Sequence, residues 1–158
     1  MSKIKEIRLQ KQMTQFGLSL KSGLAPSEIS RFEKLSSIES ITLKSLCKIA
    51  KGLDVRLWYI IENENLIDML YENINYESGI ILDGDKSPVA EILESFNISQ
   101  NELSKRCKIP VIQLSRWKNY GMDNTTLINF LKVGNALKIN IWLLVWDADL
   151  QEMLCEVL

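Results

Sequence analysis

Apolar positions recur at helical spacing along nearly the whole chain, broken by short polar corners. Between Thr14 and Glu33 the stretch TQFGLSLKSGLAPSEISRFE divides into two short helices, with Leu18 and Leu20 apolar on the first and Ile29 and Phe32 on the second. Thr14 carries the hydroxyl of an N-cap, able to accept one of the unpaired amide hydrogens of the first turn. In the corner Ser22-Gly23-Leu24, Gly23 supplies the backbone freedom of a helix end, and Pro26 suits the first turn of the helix that follows. Around this pair the spacing predicts helices near 3–12, 14–21, 25–34, 41–53, 55–61 and 64–74.

The same pattern then returns. A shift of 85 residues lays Thr14-Gln15 on Ser99-Gln100, Leu18-Ser19 on Leu103-Ser104, and Ile29-Ser30-Arg31-Phe32 on Leu114-Ser115-Arg116-Trp117. With the shift reduced to 84, Thr42-Leu43 falls on Thr126-Leu127, Leu53 on Leu137, Trp58 on Trp142, and Leu66, Met69, Leu70 and Glu72 on Leu150, Met153, Leu154 and Glu156. One deletion before the fourth helix accounts for the change of shift. The expectation is an all-α chain of two tandem units of five to six helices: residues 1–74, an acidic connector 75–87, and residues 88–158. The second unit has helices near 88–96, 99–107, 110–118, 125–137, 140–146 and 148–157. Ser87-Pro88 reads as cap and first turn. Ser99 to Glu102 reads as a capping box in which each side chain serves the other's amide. Asp147 and Asp149 place negative charge at the start of the last helix. Gly79-Ile80-Ile81-Leu82 is either a short strand or a buried extended segment.

Two short helices joined by a tight Gly-bearing corner form a helix-turn-helix, a motif that carries the start of its second helix into the DNA major groove. Thr14-Gln15, Leu18-Ser19, Ser22-Gly23-Leu24, Ile29-Ser30-Arg31 and Glu33, followed by Ile41 to Leu46 and Leu53-Asp54-Val55, resemble the lambda-repressor (Cro/repressor, XRE) type of helix-turn-helix over about residues 3–61. The resemblance implies that Gln15 braces a phosphate or meets a base edge, and that Pro26, Ser27, Ser30 and Arg31 face the groove. Arg31 would either bond two acceptors of one guanine or hold a phosphate. Lys34, Ser36 and Ser37 would lie along the phosphate backbone. Arg8 and Glu33 resemble an internal ion pair that orients the reading helix.

The second unit departs from this pattern. Leu93 and Lys118 replace the ion pair, so its third helix needs another support. Val111 and Ile112 stand where the first unit has Pro26 and Ser27, and would either meet thymine methyl groups or form a protein interface. Gln100, Asn101, Gln113, Arg116 and Lys118 remain suited to DNA. The apolar residues of the sixth helices are either core or a shared seam, between units or between chains. Trp58, Trp142 and Trp117 read as packing residues.

Charge changes the picture more than composition does. The net charge of −1 is the residue of opposing blocks: +6 over residues 1–61, −8 over 62–95, +5 over 96–146 and −4 over 147–158. Two basic blocks separated by acidic ones suit two electrostatic footprints on a polyanion. The composition, 46% hydrophobic and 25% charged, is globular, and there is no apolar run of membrane-spanning length. The three cysteines are far apart, which points to buried reduced thiols in a cytoplasmic protein. With no histidine, no Gly-rich phosphate loop and no metal-ligand cluster, the expectation is a non-enzyme without cofactor or metal. The partner expected is double-stranded DNA, bound by a transcription regulator of repressor type. A homodimer through the sixth helices or the connector, and a protein partner at the second unit (as in an antitoxin or inhibitor), are the alternatives.

Overall fold

The computed structural model describes residues 1–77 and 79–158; Ser78, in the connector, lies outside the described residues. Among these the chain is all-α, with no strand and a single isolated bridge. The first half comprises α1 (Lys3–Gln10), α2 (Gln15–Ser22), α3 (Pro26–Lys34), α4 (Leu43–Leu53) and α5 (Glu64–Ile74). The second comprises α6 (Pro88–Phe96), α7 (Gln100–Cys107), α8 (Val111–Tyr120), α9 (Leu127–Leu137) and α10 (Ala148–Val157). Short polar side chains start most of them: Ser2, Thr14, Thr42, Ser87, Ser99 and Asp147 each accept from the amide three residues on.

Three local expectations need correction. The fifth element of each half is a single 3-10 turn, Leu57–Ile60 and Ile141–Leu144, in place of helices near 55–61 and 140–146. The three-residue period aligns Leu57 with Ile60, and Ile141 with Leu144, on the buried side within a span too short for an amphipathic α-helix. Ser99 accepts from the Glu102 amide at 3.1 Å, but the Glu102 carboxylate reaches forward to Arg106 at 2.6 Å, so the capping box is half formed. Cys47 and Cys107 are buried, whereas Cys155 is exposed on α10.

Beyond element order, the halves share backbone singularities. Left-handed residues occur at Gln12 and Asn97, Gly23 and Lys108, and Asp54 and Lys138, each pair separated by 85 or 84 positions. Each pair ends the same helix in its half. The corner between α2 and α3 is closed by the Ser19 hydroxyl donating to the Leu24 carbonyl at 2.5 Å; between α7 and α8 the Ser104 hydroxyl donates to Ile109 at 2.6 Å.

The halves interlock by exchanging their last helices. α10 packs on α4 and α5 packs on α9, so each terminal helix covers the fourth helix of the other half. Thr42 bridges Thr126, its own equivalent at shift 84, and the Leu43 amide donates to the Thr125 carbonyl at 2.9 Å. Leu66, Leu70, Leu150 and Leu154 are buried in this arrangement, which makes them a seam between halves of one chain. Asn73, fully buried, stitches one side: its amide donates to Asn135 Oδ1 and the Ile139 carbonyl, both at 2.9 Å, and its oxygen accepts from the Ile141 amide at 2.8 Å. On the other side Lys51 meets the Glu156 carboxylate at 3.3 Å and Arg56 donates to the Glu156 carbonyl at 3.0 Å.

The described residues of the connector form no strand. Ile80 and Leu82 pack on the core, while Ile81 is 92% exposed. Glu91 holds the turn that follows, accepting from the amides of Asp83 and Gly84 at 2.8 and 3.2 Å. The same connector residues line a groove with Trp142 and leave it half-buried. Trp58, its equivalent, lies exposed against Tyr59 and Tyr71, whereas Trp142 packs on the core and Trp117 is buried in it.

Candidate nucleic-acid interface

α3 is pinned from within. Ile29 and Phe32 are buried, and with them Glu33, whose carboxylate takes Arg8 Nε on one oxygen and Arg8 Nη2 at 3.2 Å on the other. The pair's side chains are 8% and 3% exposed. Arg8 Nη1 donates to the Met13 carbonyl at 2.8 Å, and Gln15 donates its amide to Glu33 at 2.7 Å. A buried ion pair is tolerable when hydrogen bonds satisfy its remaining valences, as here. The cluster ties α1, α2 and α3 together, with the Arg8 and Glu33 charges cancelling. Gln15, half-buried, shares in this cluster through its amide nitrogen.

The outward face of α3 carries Pro26, Ser27, Arg31 and Lys34, all exposed, with Ser30 half-buried beside them. Arg31 lies with its guanidinium 4.6 Å from the centre of the Phe32 ring. No side chain caps α3, so the Ser27 amide is left for an external acceptor. Ser36 and Ser37 are exposed but border a cleft with Glu39, Glu62 and Glu64, and Ser37 already accepts from the Glu39 amide at 3.2 Å.

α8 presents a corresponding face with different chemistry. Val111, Ile112, Arg116 and Lys118 are exposed, Gln113 is half-buried, and Leu114 and Trp117 point inward. Asn101 and Gln100, at the start of α7, are exposed and half-buried respectively. No side chain caps α8, and its sequence VIQLSRWKNY contains no carboxylate. In place of the ion pair, Leu93 is buried with Val89 and Ile92 on the face that α6 turns to α8, and the Ser87 hydroxyl donates to the Lys118 carbonyl. Apolar packing and one backbone bond thus do on the second side what a buried salt bridge does on the first.

Sequence reasoning missed the two corner hydroxyls, Ser19 and Ser104, although both lay in matched positions flanking the corner. It also missed Asn73 and Asn135, whose polarity on an otherwise apolar helix face was the available signal. Among the described residues no group of three or more His, Cys, Asp or Glu side chains is placed to hold a metal ion, and no helix is long and apolar enough to cross a membrane. Burial pushes the Cys47 thiol up to about 12.

Residues 4–59, from α1 into the 3-10 turn Leu57–Ile60, match a family model described as helix-turn-helix. No curated protein and no solved structure matches the chain. The matched segment contains the Arg8–Glu33 pair, the Ser19-closed corner and the exposed face of α3.

Proposed function

We propose that the chain is a double-stranded DNA-binding transcription regulator of Cro/repressor type, acting in the cytoplasm, which reads the major groove with α3 and α8. The observation that carries this reading is α3 itself: an uncapped helix start with a serine- and arginine-bearing outer face, locked from behind by a neutralised buried cluster. A reading element must be rigid before it meets its base pairs, because ordering it on binding would subtract from affinity.

On this reading residues 1–74 and 88–158 are duplicated units joined by the acidic connector 75–87, and the second is a diverged helix-turn-helix. The exchanged terminal helices hold two reading helices in fixed relation within one chain, so a single chain takes the place of a two-fold dimer. Its site then has two unlike halves, with centres about 34–36 Å apart, one duplex turn. Arg31 contributes base contact on one half, Lys34 phosphate contact beside it, and Gln113 and Arg116 polar contacts on the other.

The test is anisotropy of labelled duplexes carrying sites selected from random DNA, titrated with the intact chain at several salt concentrations. Phosphate-driven binding loses affinity with a log-log slope of about −0.9 per neutralised phosphate. One chain per site, with a steep slope, supports the reading. A salt-insensitive interaction, or no enriched site at all, overturns it and favours a protein partner.

A further inference from the structure

Resting on that reading, we infer that Ile112, with Val111, is a specificity determinant that recognises the C5 methyl of thymine, so that the half-site under α8 is chosen by an apolar contact and the half-site under α3 by hydrogen bonds. Val111 and Ile112 are the first two residues of α8 and are 39% and 69% exposed. Their equivalents in α3 at shift 85 are Pro26 and Ser27. They are not surplus core: Leu114 and Trp117 already fix the inner face of α8, at 0% and 3% exposure. Nor do two side chains make a protein interface, which needs about 800 Å² on each partner. The surroundings are polar rather than apolar as well: Gln100, Asn101, Lys118 and Glu94 line one cleft with Val111, and exposed Arg116 lies one turn along α8 from Ile112.

In the major groove every base edge offers hydrogen-bonding groups, and thymine alone adds a methyl. An isoleucine there gains nothing from guanine, cytosine or adenine edges and leaves their polar groups unpaired against hydrocarbon. Discrimination follows from burying the methyl, which corresponds to about fourfold in affinity per contact.

The experiment uses the intact chain and sites selected from random duplex DNA. Each thymine is replaced in turn by deoxyuridine, which lacks the methyl and keeps every hydrogen-bonding atom. The expected result is that one or two thymines, confined to one half of the site, each weaken binding about fourfold when replaced. Ile112→Ser should bind the thymine and deoxyuridine forms equally, while Val111→Ser, as a second variant, reduces the discrimination in part. Because Ile112 is exposed, both variants should retain the parent circular dichroism and melting temperature. Selected sites without a thymine requirement, or deoxyuridine sensitivity that survives in Ile112→Ser, overturn the inference and leave DNA binding intact. A changed sedimentation coefficient for Ile112→Ser with unchanged affinity assigns the pair to a protein contact and overturns it too. Absence of any selected site would instead sink the underlying DNA reading.

Discussion

Asn73 offers the sharpest test of how the halves are joined. It is 0% exposed, and its side chain makes three hydrogen bonds, to Asn135, the Ile139 carbonyl and the Ile141 amide. Asn135 in turn donates to the Met69 carbonyl at 3.1 Å, closing a four-bond stitch between α5 and the second half. Replacing Asn73 by Ala removes three of these bonds and orphans at least the Ile139 carbonyl and the Ile141 amide. At about 1–3 kcal/mol for each unsatisfied buried group, the expected loss is about 3 kcal/mol, a large part of the 5–15 kcal/mol that ordinarily holds a domain together. Asn73→Asp keeps the shape but sets an acceptor against two acceptors. Burial raises that carboxyl above its ordinary value of about 3.9, so the charged form carries the penalty. The sign follows: the loss is smallest below about pH 4, where the carboxyl is protonated in both states, and grows as pH rises toward the raised folded value. Urea unfolding of the parent and both variants at pH 4 and pH 7 measures this, read from the midpoint at constant slope. A loss below about 0.5 kcal/mol for Asn73→Ala, the level of an ordinary surface substitution, would refute the interlocked packing.

Other expectations follow from the same geometry. Glu33→Ala should cost about 3–5 kcal/mol in the same unfolding assay by stranding the Arg8 guanidinium, whereas Lys118→Ala, at the matched position, should stay within about 0.5 kcal/mol. Arg31→Ala should weaken binding to a selected site by about 1–3 kcal/mol and relax preference at one base pair; an equal loss on random DNA would make Arg31 a phosphate contact. At pH 8 an aromatic disulfide reagent should modify Cys155 promptly and spare Cys47, whose buried thiol is held at about 12; the two should react alike only in denaturant. A fragment ending at Ile74 leaves the α10-facing side of α4 uncovered, and should show much less helix by circular dichroism than residues 1–74 contribute in the intact chain.

Much of this architecture was legible in the chain because helix ends announce themselves. Ser, Thr and Asp at caps, Gly23 at its corner and Pro26 after it set boundaries that the structure shifts by only a residue or two, and the resemblance to the lambda-repressor type implied the Arg8–Glu33 pair that is found buried. What helical periodicity cannot give is the identity of the surface an apolar face meets. Leu66 and Leu70 read most simply as core, with a seam between units or between chains as the alternative; the exchange of α5 and α10 decides among these. The 3-10 turns escaped for a related reason, since four residues hold too little pattern to separate a three-residue from a 3.6-residue period. A polar residue at a helix start fits either a phosphate or a buried carboxylate, so the bond from Gln15 to Glu33 was not legible in the chain alone. Trp58 and Trp142 share a position in the pattern but differ in surroundings, Trp58 meeting Tyr59 and Tyr71 and Trp142 lining a groove with Ile80, Ile81 and Leu82.

The asymmetry of the joint bears on why two halves sit in one chain. In a symmetric dimer every interface contact occurs twice, so a buried asparagine at one seam must appear at the other with its partners. Here Asn73 has Val157 as its equivalent, and the position matched to Asn135 is Lys51, which reaches the Glu156 carboxylate. The two seams, polar and buried on one side, apolar and ionic on the other, are free to differ only because each occurs once. The same freedom extends to the supports of α3 and α8, a buried ion pair behind the first and apolar packing behind the second. Covalent linkage also makes docking of the halves intramolecular, so their pairing does not weaken on dilution as a dimer's would. If, as proposed, α8 is a diverged counterpart of α3, that divergence need not compromise the frame that holds both, and a head with an apolar tip can evolve beside one with a polar tip at no cost in assembly.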